Sequence, residues 1–315
     1  MTYLLFFLGF ILLIKGADVL IDGASAFAKR FKITNIVIGL TIVAFGTSMP
    51  EFFINLVSNL RGSSDLAAGN IIGACIANIF LISGLAALIH PVKINGHKIW
   101  KELLLGLAAI IALFILLNDF WLNNPSFLGR MDGIILVIFF FGFLYYVIGV
   151  RKAKKENHGQ APDFHPLISI IYIIVGVLGL GIGGHLVVAN AVKIAREFGL
   201  SQTLIALTVI SLGTTLPELV TALIATIKKK AGLAIGNIIG SIIFNVAFIL
   251  GLNAIIKPIP FNPDFNSDLL VAVVGIIILI FFVVNGRKPK TISRFEGALL
   301  FLGYLGYLIF VFFRG

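Results

Sequence analysis

The stretch Gly46-Thr47-Ser48-Met49-Pro50-Glu51 interrupts an apolar run that enters over Ile36 to Val43 and leaves over Phe52 to Leu56. A glycine, two hydroxyls, a proline and a carboxylate are poor material for a helix in hydrocarbon. Pro50 has no amide hydrogen, so the carbonyl one turn earlier loses its partner. Thr47 and Ser48 add oxygens at the same level. A helix broken here would gather freed carbonyls, hydroxyls and one negative charge at a single point, which is what a hard cation requires. The bland reading is a proline kink with an incidental glutamate. The motif alone leaves both open.

The surrounding composition sets the solvent. Hydrophobic residues make up 59% of the 315-residue chain and charged residues 12%, and mean hydropathy is +1.08. A water-soluble core cannot use that much apolar surface, so the chain reads as a polytopic membrane protein. At about 20 residues per span, the apolar runs predict roughly ten helices. The 33 glycines suit close helix packing and the 29 phenylalanines suit lipid contact. A net charge of +10 invites a nucleic-acid partner. The basic residues, however, sit in short loops between spans and not on one face, so none is expected. Cys75 stands alone in an apolar segment, which excludes a disulfide framework and a thiolate metal site. Met1 to Ile14 lacks the positive start of a signal sequence and runs on into a first full span.

The predicted spans are Tyr3 to Ala28, Asn35 to Leu60, Leu66 to Ile89, Ile99 to Leu117 and Met131 to Val150 in the first half. Pro166 to Phe198, Gln202 to Ile227, Gly232 to Ile256, Leu269 to Val284 and Phe295 to Phe313 follow in the second. A polar linker, 151–165, separates residues 1–150 from 166–315. Lysine and arginine then orient the chain. The loops after the odd-numbered spans hold seventeen basic residues against six on the other side. The linker is therefore expected in the cytoplasm and both termini outside, in a cell-membrane protein.

An internal repeat decides the fold. Gly213-Thr214-Thr215-Leu216-Pro217-Glu218 reproduces the first motif at an offset of 167 residues. With no gap, Gly69-Asn70-Ile71-Ile72-Gly73 recurs as Gly236-Asn237-Ile238-Ile239-Gly240, and Asn78 falls on Asn245. Five spans separate the copies, so the second enters the membrane from the opposite face. The expected fold is all-α, with ten transmembrane helices as two inverted-topology five-helix repeats. Interrupted helices at matching positions in inverted halves point to alternating access around a site at the midplane.

An intramembrane carboxylate costs about 2.5–3.5 kcal/mol on insertion scales. Glu51 and Glu218 are kept at repeat-related positions with no Lys or Arg in spans two, three, seven and eight, so a bound cation or proton is the simplest partner. Two carboxylates balance one divalent ion. The donors are hard oxygens suited to calcium, and no His or Cys cluster favours zinc or copper. Asn78 and Asn245 offer neutral amides from the neighbouring broken helix of each half, either as ligands or as helix-packing bonds.

The copies GTSMPE with GNIIGACIAN and GTTLPE with GNIIGSIIFN resemble the alpha-repeats of the cation/calcium antiporter superfamily, in its sodium/calcium exchanger branch and without a large regulatory loop. The resemblance covers nearly the whole chain. It implies calcium export driven by sodium entry, with no cofactor, no enzyme activity and no obligate protein partner. It also implies calcium ligation by Glu51, Thr47 and Ser48 in one half and by Glu218, Thr214 and Thr215 in the other. Ala44 and Ser211 would lend backbone carbonyls to flanking sodium sites, and Ser241 a hydroxyl. Two departures carry weight. The counterpart of Ser241 is Ala74, where relatives often have serine, which removes one sodium ligand and opens the alternative of a proton/calcium antiporter using the same two glutamates. Asn245 stands where potassium-dependent relatives carry aspartate, which argues against potassium co-transport.

Lesser features complete the reading. Lys15, Asp18 and Asp22 share one helix face and are placed to pair locally. His185 falls on Asp18 in the repeat as a packing or vestibule residue, His158 and His165 lie in the linker, and Lys228 to Lys230 read as a positive anchor.

Overall fold

A computed structural model describes residues 1–62, 64–93, 99–118, 127–150, 161–199, 211–260, 262–286 and 291–314. Residues 151–160 of the expected linker, with His158, lie outside this set, as do Lys98, residues 202–210 of the seventh predicted span and the basic residues of 287–290.

Among the described residues the fold is all-helical apart from four two-residue strands. Its helices are α1 (Thr2–Phe31), α2 (Asn35–Thr47), α3 (Met49–Leu60), α4 (Ser64–Ile76, continued by Ala77–Ile82 and Ser83–Ile89), α5 (Trp100–Asn118) and α6 (Arg130–Val150). The second half contributes α7 (Pro166–Glu197), α8 (Ser211–Thr214), α9 (Leu216–Ile227), α10 (Ala231–Ile256), α11 (Phe265–Asn285) and α12 (Arg294–Arg314). Among the described residues, eight helices are long and apolar enough to cross a membrane. The α2–α3 pair, bent by 45°, makes a ninth if counted as one span. The elements themselves repeat. Ala44–Thr47 within α2 and the whole of α3 recur as α8 and α9, Ser64–Ile76 recurs as Ala231–Ile243, and Val92–Lys93 recurs as Ile259–Pro260, each with both ends displaced by 167 residues.

The chain divides into two compact units, Met1–Pro50 with Val150–Asn237 and Glu51–Gly149 with Ile238–Gly315. In the first, α1 and α7 lie antiparallel with their backbones in near contact. A Cβ at Gly9 would lie 2.9 Å from the Gly183 carbonyl, one at Gly16 would lie 2.8 Å from Leu180 N, and one at Gly23 would lie 2.9 Å from the Ser169 carbonyl. Gly176 and Gly183 face Leu20 N and Leu13 N in return, at 2.6 and 2.7 Å. Glycines seven apart on each helix make this closeness sterically allowed. Leu13, Leu20, Ile21, Leu180 and Val187 bury the seam, while Phe7 and Ile11 of α1 and Ile174 and Leu178 of α7 stay exposed, as lipid-facing side chains do.

In the second unit the strands pair antiparallel. Val92 lies opposite Ile292 and Lys93 opposite Thr291, and Phe127 lies opposite Pro260 and Leu128 opposite Ile259. Gly84 of α4 lies against Gly297 and Phe301 of α12, and its repeat equivalent Gly251 of α10 lies against Gly133 and Leu136 of α6. Phe140 of α6 meets Phe244 and Phe248 of α10, with ring centroids 5.6 and 5.0 Å apart. Neither these contacts nor the short strands were readable from local sequence, because each joins residues from opposite halves of the chain.

Candidate functional site

The break expected within Gly46 to Glu51 falls at Ser48, two residues before Pro50. Ser48 has φ −88° and ψ 6°, and Thr215, its repeat equivalent, has φ −86° and ψ 0°. Both sit near φ −90°, ψ 0°, at the edge of the helical region, and the following prolines stand at the first turns of α3 and α9, where a missing N–H is harmless. Pro50 and Pro217 still cannot donate to the Gly46 and Gly213 carbonyls. The motif glycines are spatially required: a Cβ at Gly46 would strike Val177 and one at Gly213 would strike Val188, both on α7.

Within the first unit these breaks assemble a buried polar cluster. Ser48 Oγ of the first motif donates to Glu218 Oε1 of the second at 2.8 Å. Thr47 Oγ1 lies 3.0 Å from Asn237 Oδ1 and 3.2 Å from the Ala44 carbonyl. Asn237 Nδ2 donates to the Glu218 carbonyl at 3.4 Å. The Ala44 carbonyl also accepts from Ser48 N at 3.1 Å. Ser48, Thr47, Glu218 and Asn237 are all 0% exposed, and Thr214 and Thr215 are buried. Glu218 Oε2 has no hydrogen-bond donor among the described residues. A fully buried carboxylate oxygen without a donor, in a cluster of hydroxyls and amides, is an arrangement that a cation completes. Ser211 opens α8, its backbone one turn before Thr215.

The second unit holds the remaining expected residues. Glu51 is 0% exposed, and its carbonyl accepts from Asn55 Nδ2 at 2.6 Å. Asn78 and Asn245 are each the second residue of a π-helical turn, Ala77–Ile82 and Phe244–Leu250. Such turns mark functional positions because the wider backbone spacing loosens the carbonyl ladder. Asn78 Nδ2 donates back to the Ala74 carbonyl at 2.9 Å, leaving Oδ1 without a donor among the described residues. Both side-chain polar atoms of Asn245 are likewise unpartnered there. Ser241 is buried, and so is Ala74, whose methyl stands where a hydroxyl was expected.

Sequence reasoning missed Asn237. It was read only as part of a repeated marker, although an amide retained in both copies inside an apolar helix was signal enough. The charges on α1 also behave differently from expectation. Asp18 and Asp22 each lie 2.7 Å from Lys228 Nζ, which replaces the local pairing with Lys15. Burial works against the Lys228 charge, but hydrogen bonds and attraction from the two carboxylates outweigh it and raise its pKa. His185 is exposed, and His165 caps α7 by accepting from Leu167 N at 3.4 Å.

Comparison with known proteins identifies the family. The family model described as Sodium/calcium exchanger protein matches residues 1–149 and 168–313. The putative antiporter CaxA of Alkalimonas amylolytica is 34% identical over 96% of each chain. The sodium/calcium exchanger MaX1 of Methanosarcina acetivorans is 27% identical over 99% of each. A solved structure of the sodium-calcium exchanger NCX_Mj, soaked with 2.5 mM Na+ and 1 mM Sr2+, superposes with a TM-score of 0.84 at 30% identity, covering 98% of this chain and 97% of that one. The chain is a membrane-embedded, multi-pass transporter and not an enzyme, and it belongs to the sodium/calcium exchanger family.

Proposed function

We propose that the protein exports calcium in exchange for sodium by alternating access, with ten spans arranged as two inverted five-helix repeats, 1–150 and 166–315. The observation that carries the cation reading is the bond from Ser48 of one motif to Glu218 of the other, with the second carboxylate oxygen lacking a donor. Glu51 and Glu218 supply the charge for one calcium ion, and Thr47, Ser48, Thr214 and Thr215 supply hydroxyls or carbonyls. Asn78 and Asn245 add amide oxygens, and Ala44, Ser211 and Ser241 serve sodium. The antiparallel packing of α1 against its repeat equivalent α7 supports the inverted arrangement. Placing linker 151–165 in the cytoplasm and both termini outside rests on the distribution of Lys and Arg.

The glycine seam holds α1 and α7 as one pair, and its movement along the ion-binding helices opens the site to alternate sides. Each net charge moved contributes about 2.3 kcal/mol per 100 mV, in addition to the sodium gradient.

Reconstituted vesicles with sodium and pH gradients imposed separately test this. Calcium uptake should follow the sodium gradient, and a pH gradient in sodium-free buffer should drive little. Uptake driven by pH alone would establish the second reading, proton/calcium antiport, which the buried Ala74 favours by withholding a hydroxyl. A further prediction isolates the residue that sequence reasoning missed. Asn237→Leu leaves Thr47 and the Glu218 carbonyl without this partner, at a cost of about 1–3 kcal/mol. The half-saturating calcium concentration should therefore rise about tenfold or more. An unchanged value would reduce Asn237 to packing.

A further inference from the structure

Three polar residues of α3, Glu51, Asn55 and Asn59, are spaced four apart and so share one helix face, and all are 0% exposed. α10 carries Asn253 at 0% exposure as well. Asn55 Nδ2 is tied back to the Glu51 carbonyl at 2.6 Å, and Asn253 Nδ2 to the Ile249 carbonyl at 2.8 Å. Each amide is thereby fixed one turn back along its own helix. Its Oδ1 has no hydrogen-bond donor among the described residues. Asn78, an expected ligand, is held in the same way.

A reciprocal clasp joins the two helices beyond these amides. Asn59 Nδ2 donates to the Asn253 carbonyl at 3.1 Å and to the Lys257 carbonyl at 2.9 Å, and Lys257 Nζ donates to the Asn59 carbonyl at 3.1 Å. The 167-residue equivalents of Asn55 and Asn253 are Ala222 and Ala86, both buried. The fold therefore accepts a methyl at such positions. Two amide oxygens are instead retained in the interior, where each carries an unrepaid desolvation cost.

We propose that Asn55 and Asn253 hold a hard cation, with part of its water shell, at a staging position between Glu51 and the Asn59–Lys257 clasp. This rests on the exchange reading and deepens it. Amide oxygens are genuine calcium and sodium ligands but carry no charge, so they hold an ion weakly enough to pass it on. Each repeat contributes one asparagine and one alanine, so the polar pair offered by α3 and α10 is not reproduced by the equivalent positions of α9 and α4.

The test is calcium uptake by vesicles carrying the full chain with Asn55→Ala, Asn55→Asp, Asn253→Ala or Asn253→Asp. Alanine copies the residue of the other repeat and preserves folding. It should raise the half-saturating calcium concentration about tenfold. Ionised aspartate also lacks the Nδ2 donor but keeps the oxygen and adds charge, so it should match or tighten the wild-type value. If Ala and Asp weaken uptake alike, the amides only brace the backbone and the proposal fails. It also fails if the Ala variants behave as wild type. Wild-type vesicles that exchange no calcium at all would instead overturn the exchange reading itself.

Discussion

Vesicles carrying Glu51→Gln or Glu218→Gln are expected to lose sodium-dependent calcium flux entirely. Glutamine keeps the shape of glutamate. At position 218 its amide oxygen still accepts from Ser48 Oγ, which now lies 2.8 Å from Glu218 Oε1. The substitution therefore removes charge and little else. In a water-excluded cluster, withdrawing one charge from an ion-paired set costs about 3–5 kcal/mol, or roughly two to four orders of magnitude in calcium affinity. A second readout carries the opposite sign. Wild-type protein should gain thermal stability as calcium rises, by about 2.7 kcal/mol at a hundred times Kd. The Gln variants should not respond, and in calcium-free buffer they should melt above wild type, because an amide is less costly to bury than an ionised carboxylate. Normal flux in either variant would remove that glutamate from the transport site.

Much of this site was legible from the chain alone, for a physical reason. Hydroxyls, a proline and a carboxylate are so unfavourable in hydrocarbon that their presence at Thr47 to Glu51, and again at Thr214 to Glu218, needs a compensating function. The repeat was equally legible, and the ends of α3 and α9 differ by the same 167 residues as the motifs. Other features depend on contacts between distant segments. Lys228 is more than two hundred residues from Asp18 and Asp22, so helical spacing favoured the nearby Lys15 and missed the real partner. The π-helical turns around Asn78 and Asn245 are set by packing and have no local composition of their own. The break at Ser48 lies inside the motif whose composition predicted it. Proline cannot donate to the carbonyl one turn back, and the backbone departs from the helix before the ring, not at it.

The glycines of α1 lie between these cases. Gly9, Gly16 and Gly23 stand seven apart, and Gly176 and Gly183 repeat the first two at the 167-residue offset. The spacing was visible, but its partner was not. The structure now separates two glycines of α7 that sequence cannot tell apart. A Cβ at Gly176 would lie 2.6 Å from both the amide nitrogen and Cβ of Leu20, whereas one at Gly181 meets nothing within 4 Å. Gly176→Leu must therefore push the α1 backbone away, since neither helix has a flexible side chain at that point to yield. Overpacking typically costs about 1–3 kcal/mol, and contact against backbone belongs at or above the upper end. At about 2–4 °C per kcal/mol, the melting temperature should fall by roughly 10 °C. Transport should fall further, because a separated α1–α7 pair cannot move as one element. Gly181→Leu, the same substitution on the same helix, removes a helix-destabilising glycine and adds a side chain with open space around it. Its melting temperature should match or exceed wild type, with exchange retained. If the two variants melt together, the glycine seam is not what holds α1 against α7.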